Sequence, residues 1–279
     1  MTHSAPYRFV FTALACEAKP LIRAWSLKKT SDSSAFSMYS GPAGTVVVSG
    51  IGKTAMAGAV AYALALRPVT NPVLLNLGVA GHPEYPIGHV CLADKVVDAD
   101  TGRCFFPQLP FDVLCPTASL ITSSKPNTAY LQDALYDMEA SAFYETAVRF
   151  GSSELIHCLK IVSDNPGRSI AAISEIQVES WIGTQVPMIE NVLGQLQGLR
   201  RQIAVGGGND WYDACLARWH FSVSNAGKLK NLLARWDLLT KHAEPDWDPS
   251  TLRSAADALN WLENKLAEMP FSLRETDGG

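Results

Sequence analysis

Short apolar runs alternate with helical segments through the first part of the chain. The runs have the length and the β-branched content of buried strands. They lie at residues 7–15, 36–39, 45–49, 73–77, 89–97, 119–122 and 155–162. After the first run, Leu21, Ile22 and Trp25 recur at helical spacing, and further helices are predicted before Pro68 and over residues 139–150.

Continuous apolar strands separated by helices are typical of a parallel or mixed sheet that is covered on both faces. The predicted fold class is therefore α/β, with a mixed central sheet flanked by helices. In such sheets, ligands bind outside the carboxyl ends of the strands. The polar residues that follow the predicted strands are therefore the first candidates for a functional site.

The later part of the chain reads as helical, and Gly206-Gly207-Gly208-Asn209 is its clearest linker. We predict an α/β domain over residues 1–205 and a helical C-terminal extension over residues 206–279, with helices near 226–241 and 250–267. The extension contains five of the seven Trp: Trp211, Trp219, Trp236, Trp247 and Trp261. Their helical spacing favours a place in the core of the extension over a binding surface.

The composition excludes several classes of protein. Of 279 residues, 47% are hydrophobic and 18% are charged, which is not the composition of a disordered chain. The apolar runs are shorter than the about 20 residues of a membrane helix. The net charge is -4, with no long basic stretch for nucleic acid. The N-terminus has no features of a secretory signal, so we expect a cytoplasmic protein.

The six Cys form no C-x-x-C pair, and the nearby His89 and His157 each accompany one Cys. A zinc site and a disulfide framework are therefore not expected. We expect reduced thiols packed as small hydrophobic groups, and no metal or cofactor.

Four polar positions follow predicted strands or begin helices: Glu17, the loop Gly50-Ile51-Gly52-Lys53, Glu139 and Asp164. Asp164 suits a general acid if burial raises the pKa of its carboxyl, but the residues alone favour a turn-forming Asp that caps local backbone N–H groups. Glu17 and Glu139 lie near predicted helix starts, where the helix dipole stabilises a carboxylate in any protein, so their positions alone do not indicate a function. The glycine loop lacks the third Gly of a dinucleotide fingerprint, so a tight turn and a ligand loop both stay open.

Five segments together resemble the nucleoside phosphorylase superfamily, and within it the methylthioadenosine/S-adenosylhomocysteine nucleosidases and related nucleoside hydrolases. They occur in the family's order and span roughly residues 7 to 200. The segments are Ala13-Leu14-Ala15-Cys16-Glu17, Ser49-Gly50-Ile51-Gly52-Lys53, Asn76-Leu77-Gly78-Val79-Ala80-Gly81, Asp137-Met138-Glu139-Ala140-Ser141-Ala142 and Val162-Ser163-Asp164. The Met-Glu-Ala and Ser-Asp elements are the most specific.

The resemblance implies cleavage of an N-glycosidic bond through a ribosyl cation, with a small-molecule nucleoside as the ligand and a homodimer as a possible assembly. It implies that Asp164 protonates the purine and that Glu17 activates the water. Glu139 would bind the ribose hydroxyls, with Met138 packed on the sugar. The remaining substrate-binding residues would be Gly50, Gly78, Val79, Ala80 and Gly81. Of these, Gly78, Ala80 and Gly81 would let the backbone approach the ligand closely.

Several departures from the family pattern keep alternatives open. Val79 stands where many relatives carry a Ser that helps hold phosphate or water, which favours hydrolysis over phosphorolysis. Pro126-Asn127 replace the aromatic that often stacks on the purine, and residues 100–119 form a shorter segment than in close relatives. The candidates are a purine nucleosidase, with a 5′-modified adenosine as one substrate, a phosphorylase, and an inactive relative that binds a nucleoside or a protein partner. His82, beside Gly81, is near the predicted site, but a solvated position in a surface loop is the favoured interpretation.

Overall fold

The strands and helices follow the order that the apolar runs predict. The computed structural model describes residues 7–31, 35–207, 210–240, 245 and 252–268. Within these residues the strands are Arg8–Thr12 (β1), Lys28–Lys29 (β2), Ser37–Gly41 (β3), Gly44–Val48 (β4), Val73–Gly81 (β5), Val90–Asp98 (β6), Cys104–Phe105 (β7), Thr117–Thr122 (β8), Leu135–Asp137 (β9) and Ile156–Asp164 (β10). The α-helices are Ala15–Ala24 (α1), Lys53–Leu66 (α2), Ala140–Ala147 (α3), Glu175–Thr184 (α4), Val186–Gly207 (α5), Asp210–Arg218 (α6), Val223–Thr240 (α7) and Ala255–Glu268 (α8).

The described strands form one mixed sheet. β1 lies between β4 and β5 and pairs with both in parallel, and β3 and β2 extend the β4 side in antiparallel pairing. On the other side, β5 pairs with β10 and with β9, and β6 and β8 connect those two. The strands β5, β10, β6, β8 and β9 therefore close into a ring. The predicted fold class, a mixed α/β sheet with flanking helices, is confirmed.

β5 is the central strand of the site because it pairs with both β1 and β10. It is buried along nearly its whole length, as expected for a strand covered on both faces. β1, β5 and β10 are parallel to one another, so their carboxyl ends lie at the same edge of the sheet. The residues after β1, at the end of β5 and at the end of β10 consequently meet there.

Aromatic packing fixes the position of α3. Phe143 of α3 and Phe11 of β1 are fully buried, and their ring centroids are 5.7 Å apart. Burial of each such side chain stabilises the fold by about 1.5–3 kcal/mol. Glu139 is the N-cap residue of α3, so this packing also fixes the position of the backbone from which its side chain extends.

The structure shifts several predicted boundaries. The first strand ends at Thr12, because Ala15 already begins α1, and the strand predicted at 73–77 continues to Gly81. The predicted helix at 139–150 is shorter, since Glu139 caps it and it ends at Ala147. The short strands β2, β7 and β9 were not predicted, because two or three residues give no periodicity to detect.

The chain forms two compact units, Met1–Arg200 and Arg201–Gly279. The linker predicted at 206–209 is wrong in its first two residues, since α5 continues through Gly207; residues 208 and 209 lie outside the described residues. The intrahelical hydrogen bonds of this long helix outweigh the helix-propensity cost of Gly, which is about 1 kcal/mol per residue.

The described residues of the second unit are mainly helical, as predicted. α7 and α8 correspond to the helices expected near 226–241 and 250–267. Trp236 is buried in the core of this unit, and three further Trp pack against that core: Trp211, Trp219 and Trp261. The predicted core role of these Trp is confirmed, while Trp247 lies outside the described residues.

In the described ranges, no helix is both long and apolar enough to cross a membrane. The six Cys are free thiols, and all except Cys104 are buried.

Candidate active site

A pocket with a cavity volume of about 130 Å³, partly open to solvent, lies at the carboxyl ends of β1, β5 and β10. Most of the site residues predicted from the sequence line it: Glu17, Val79, Ala80, Gly81, Met138, Glu139 and Asp164. Gly50 and Gly78 are not among the lining residues.

The Glu17 carboxylate joins β1 to β5. Its Oε2 accepts hydrogen bonds from the backbone N–H groups of Ala13 and Leu14, both at 2.9 Å. Its Oε1 accepts one from the N–H of Val79 at 3.0 Å. Burial raises the pKa of the Glu17 carboxyl, while these hydrogen bonds and the nearby Lys160 ammonium oppose that rise. The side chain is thus held in one orientation at the pocket wall.

Gly78 makes room for this carboxylate. A Cβ at this position would lie 2.8 Å from Oε1 of Glu17, closer than real Cβ contacts. From the sequence, Gly78 was expected to let backbone approach the ligand. In the structure, the space beside its Cα is occupied by Glu17 instead.

Glu139 lines the same pocket from the start of α3. Its Oε1 accepts a hydrogen bond from the N–H of Gly52 at 2.7 Å. Burial, with the Asp137 charge as a second cause, raises the pKa of Glu139 to about 7, and Lys160 opposes the rise. A buried carboxylate with this pKa changes its charge near neutral pH.

The Gly50-Ile51-Gly52-Lys53 loop is a tight turn, and one of its backbone N–H groups donates a hydrogen bond to a carboxylate of the protein. Gly50 and Gly52 have φ values of 87° and 98°, in the region that favours glycine. Since the N–H of Gly52 binds Glu139, the loop positions that carboxylate, and Gly50 shapes the turn. Lys53 forms an ion pair with Asp98 at 2.9 Å.

Lys160 is a site residue that the sequence reasoning missed. It lies within β10 with 1% of its surface exposed, and its Nζ donates to Oδ2 of Asp137 at 2.9 Å. Burial alone would lower the pKa of this ammonium, but the charges of Asp137 and Glu139 outweigh that effect and raise it. Lys160 is therefore a buried cation beside the carboxylates. The signal in the sequence was a lone Lys inside an apolar strand.

Asp137, also missed as a site residue, holds Lys160 in place. Its Oδ1 accepts from the Thr122 hydroxyl at 2.6 Å, and its Oδ2 accepts from the N–H of Ala140 at 2.9 Å as well as from Lys160. These contacts connect β8, β9, β10 and α3 at one point. Met138 follows directly and lines the pocket between Asp137 and Glu139.

Asp164 ends β10 with 4% of its surface exposed. Its Oδ1 accepts from the Ser163 hydroxyl at 2.5 Å, and its Oδ2 accepts from the Tyr130 hydroxyl. A Cβ on Gly81 would lie 2.6 Å from Oδ2 of Asp164 and 2.7 Å from the Tyr130 ring. Gly81 therefore makes room for both side chains. Tyr130 is a further residue that sequence reasoning missed.

His82 is buried with 1% exposure, whereas the sequence placed it in a surface loop. Its Nδ1 accepts hydrogen bonds from the N–H groups of Glu84 at 3.1 Å and Tyr85 at 3.0 Å. Burial lowers the pKa of this imidazole. His82 therefore caps the turn after β5, and it is not a lining residue of the pocket.

The arrangement brings Glu17, Glu139 and Asp164 to the wall of one pocket that also has apolar sides. Carboxylates can accept hydrogen bonds from hydroxyl groups, take protons from water and donate protons when protonated. Among the described residues, no group of three or more His, Cys, Asp and Glu could hold a metal ion.

Replacement of Glu139 tests its titration. Because the folded-state pKa of Glu139 is raised from 4.5 to about 7, its contribution to the free energy of unfolding is present at low pH and decreases as pH rises through that interval. The free energy of unfolding of Glu139→Gln, relative to that of the native protein, should therefore increase by up to about 3 kcal/mol between about pH 5 and about pH 8. Urea denaturation at both pH values measures this difference.

The matched control for Glu139→Gln is Glu263→Gln, on α8, which should leave the pH dependence of stability unchanged. A Glu139→Gln protein whose stability difference is the same at both pH values would contradict the raised pKa.

Replacement of Lys160 tests the buried cation. Lys160→Met leaves Glu17, Asp137 and Glu139 without their positive neighbour and should destabilise the protein by about 3–5 kcal/mol at about pH 8. The loss should be smaller at about pH 5, because the pKa values of Glu17 and Glu139 are raised and their protonation relieves the repulsion between the carboxylates. Denaturant unfolding at the two pH values measures both effects.

Lys29→Met, at an exposed position of β2, is the control and should change the free energy of unfolding by less than about 0.5 kcal/mol. An equal loss for Lys160→Met at both pH values would show that Lys160 acts through packing and not through its charge.

Comparison with known proteins gives matches to solved structures. The sequence matches no protein-family profile and no curated protein. A 5′-methylthioadenosine/S-adenosylhomocysteine nucleosidase from Helicobacter pylori has a TM-score of 0.56 at 13% identity, over 67% of this chain and 97% of that chain. The corresponding enzyme from Colwellia psychrerythraea, in complex with adenine, has a TM-score of 0.56 at 19% identity, over 69% and 96%.

A futalosine hydrolase from Helicobacter pylori has a TM-score of 0.54 at 12% identity, over 67% of this chain and 97% of that chain. In all three comparisons nearly the whole neighbour is covered, so the shared part is a complete domain. This chain therefore has the phosphorylase-like α/β fold of these nucleosidases, as the resemblance implied.

Proposed function

We propose that the protein hydrolyses the N-glycosidic bond of a purine nucleoside and releases the free base and a ribosyl product. The observation that carries this proposal is the convergence of Glu17, Glu139 and Asp164, from three separate elements, on one pocket. The fold shared with nucleosidases supports it, as does the adenine bound in the Colwellia psychrerythraea enzyme. As the finer proposal, the substrate is a 5′-modified adenosine.

Glu139 binds the ribose in this proposal. Its Oε1 receives the N–H of Gly52, and the remaining lone pairs of the carboxylate can accept both ribose hydroxyls. Such hydrogen bonds to an ionised group are stronger than those between neutral groups. Met138, which precedes Glu139 in the chain, gives the sugar an apolar contact at the pocket wall.

Bond cleavage uses Asp164 and Glu17 in this proposal. The C1′–N bond breaks, its electron pair stays on the base nitrogen, and Asp164 donates a proton to the base. A water molecule then attacks C1′ and transfers a proton to Glu17. Three backbone N–H groups already bind the Glu17 carboxylate, which leaves about one of its four lone-pair positions for that water.

Hydrolysis is favoured over phosphorolysis by the pocket lining. The part of the chain that the structure describes contributes no Arg, Lys or His to that lining, and Val79 presents an apolar side chain there. A phosphate co-substrate would need cationic donors to offset its charge. The wall formed by Pro126 and Asn127 has no aromatic ring for stacking at those positions. The homodimer and the cytoplasmic location stay predictions.

The test is chromatographic detection of free base after incubation with a panel of purine nucleosides, including 5′-modified adenosines, with and without phosphate. We expect release without phosphate. Asp164→Asn should lower the rate at least about 100-fold, since general acid catalysis contributes that much or more. Asp112→Asn, at an exposed position outside the pocket lining, is the control and should keep the native rate.

Release that requires phosphate would replace this proposal with a phosphorylase. Absence of release from every nucleoside would favour a catalytically inactive relative that binds a nucleoside or a protein partner.

A further inference from the structure

The Tyr130 side chain forms a hydrogen bond with Asp164, the residue that contacts the base in the proposed function. Tyr130 lies in the segment that connects β8 to β9, residues 123–134, which we name the strap. Its hydroxyl donates to Oδ2 of Asp164, while Ser163 donates to Oδ1. Side chains therefore take two of the four lone-pair positions of this carboxylate. A base that approaches Oδ2 meets the Tyr130 hydroxyl.

The strap is a wall of the same pocket. Pro126, Asn127 and Thr128 of the strap line the pocket together with Asp164. The Tyr130 ring packs against Tyr136 with the centroids 5.6 Å apart, and a Cβ on Gly81 would lie 2.7 Å from the ring. Tyr130 is therefore wedged into the space at the end of β5, where glycine leaves room for it.

The surroundings hold Tyr130 in this placement. Tyr130 has a φ of 44°, in a region that non-glycine residues rarely adopt. Such a conformation persists only where tertiary contacts hold it, and it is typical of functional segments. Burial, with the Asp164 contact as the second cause, raises the pKa of the Tyr130 phenol, so that the hydroxyl keeps its proton to donate.

A second contact ties the strap to the end of β5. The Nδ1 of His82 accepts two backbone N–H groups, so in the neutral imidazole the hydrogen is on Nε2. Nε2 lies 3.4 Å from Oδ1 of Asp133 in the strap. The strap thus contacts β10 through Tyr130 and the residue after β5 through Asp133.

We propose that Tyr130 is an intramolecular competitor of the purine base for Asp164, and that the base binds by displacing the Tyr130 hydroxyl. The inference rests on the proposed function, because it takes Asp164 as the residue that contacts the base. It has a consequence for specificity. A ligand must offer Asp164 a hydrogen-bond donor that replaces the Tyr130 hydroxyl, which a purine N–H or amino group does and an apolar ligand does not.

The test is the dissociation constant of adenine and, in parallel, of hypoxanthine, measured by isothermal titration calorimetry. Tyr130→Phe keeps the ring but removes the competing hydroxyl, and it should bind the base about tenfold more tightly than the native protein, since one hydrogen bond is lost from the free state only. Tyr39→Phe, on β3, is the matched control and should bind like the native protein.

Equal or weaker binding of the base by Tyr130→Phe would overturn the competitor role; weaker binding would mean that the hydroxyl contacts the base directly. Because binding of a free base needs no turnover, the outcomes separate the two proposals. Tighter binding by Tyr130→Phe together with no base release from any nucleoside would overturn hydrolysis alone. Binding of neither base by either protein would overturn both proposals.

Discussion

The buried ion pair between Lys160 and Asp137 is the interaction on which the rest of the site depends. Removal of a carboxylate from water is costly unless a positive charge or hydrogen bonds offset the loss. The Lys160 ammonium opposes the rise in pKa of both Glu17 and Glu139. It therefore allows several acids to lie near one pocket at the end of a closely packed sheet.

Backbone N–H groups also offset the cost of removing these carboxylates from water. Three N–H groups bind Glu17, and the N–H of Gly52 binds Glu139. These donors come from the end of β1, from β5 and from the start of α2, so the acids also connect the elements that surround them. The geometry of the sheet edge and the placement of the carboxylates consequently depend on each other. A pocket built in this way is preorganised, which reduces the ordering that ligand binding requires.

Much of the fold and part of the site follow from the sequence. The apolar runs predict strands whose carboxyl ends share an edge, and Glu17 and Asp164 are expected to lie near each other at that edge because each follows or ends such a strand. Lys160 was not predicted because a strand interior gives no sign of which neighbours a lone Lys has. The positions of Asp137 and Tyr130 were not predicted either, since a three-residue strand and an irregular strap depend on tertiary contacts. Gly78, expected to face the ligand, instead makes room for Glu17, whereas Gly81 lines the pocket and also leaves room for Asp164 and Tyr130.

In our proposal, these acids together form a nucleoside site. The most direct measurement is a crystal structure with a purine nucleoside analogue whose glycosidic bond cannot be hydrolysed. We expect the ribose hydroxyls within hydrogen-bond distance of Glu139 and the base beside Asp164. An analogue bound away from these carboxylates, with both acids making the contacts seen in the free protein, would contradict the proposal.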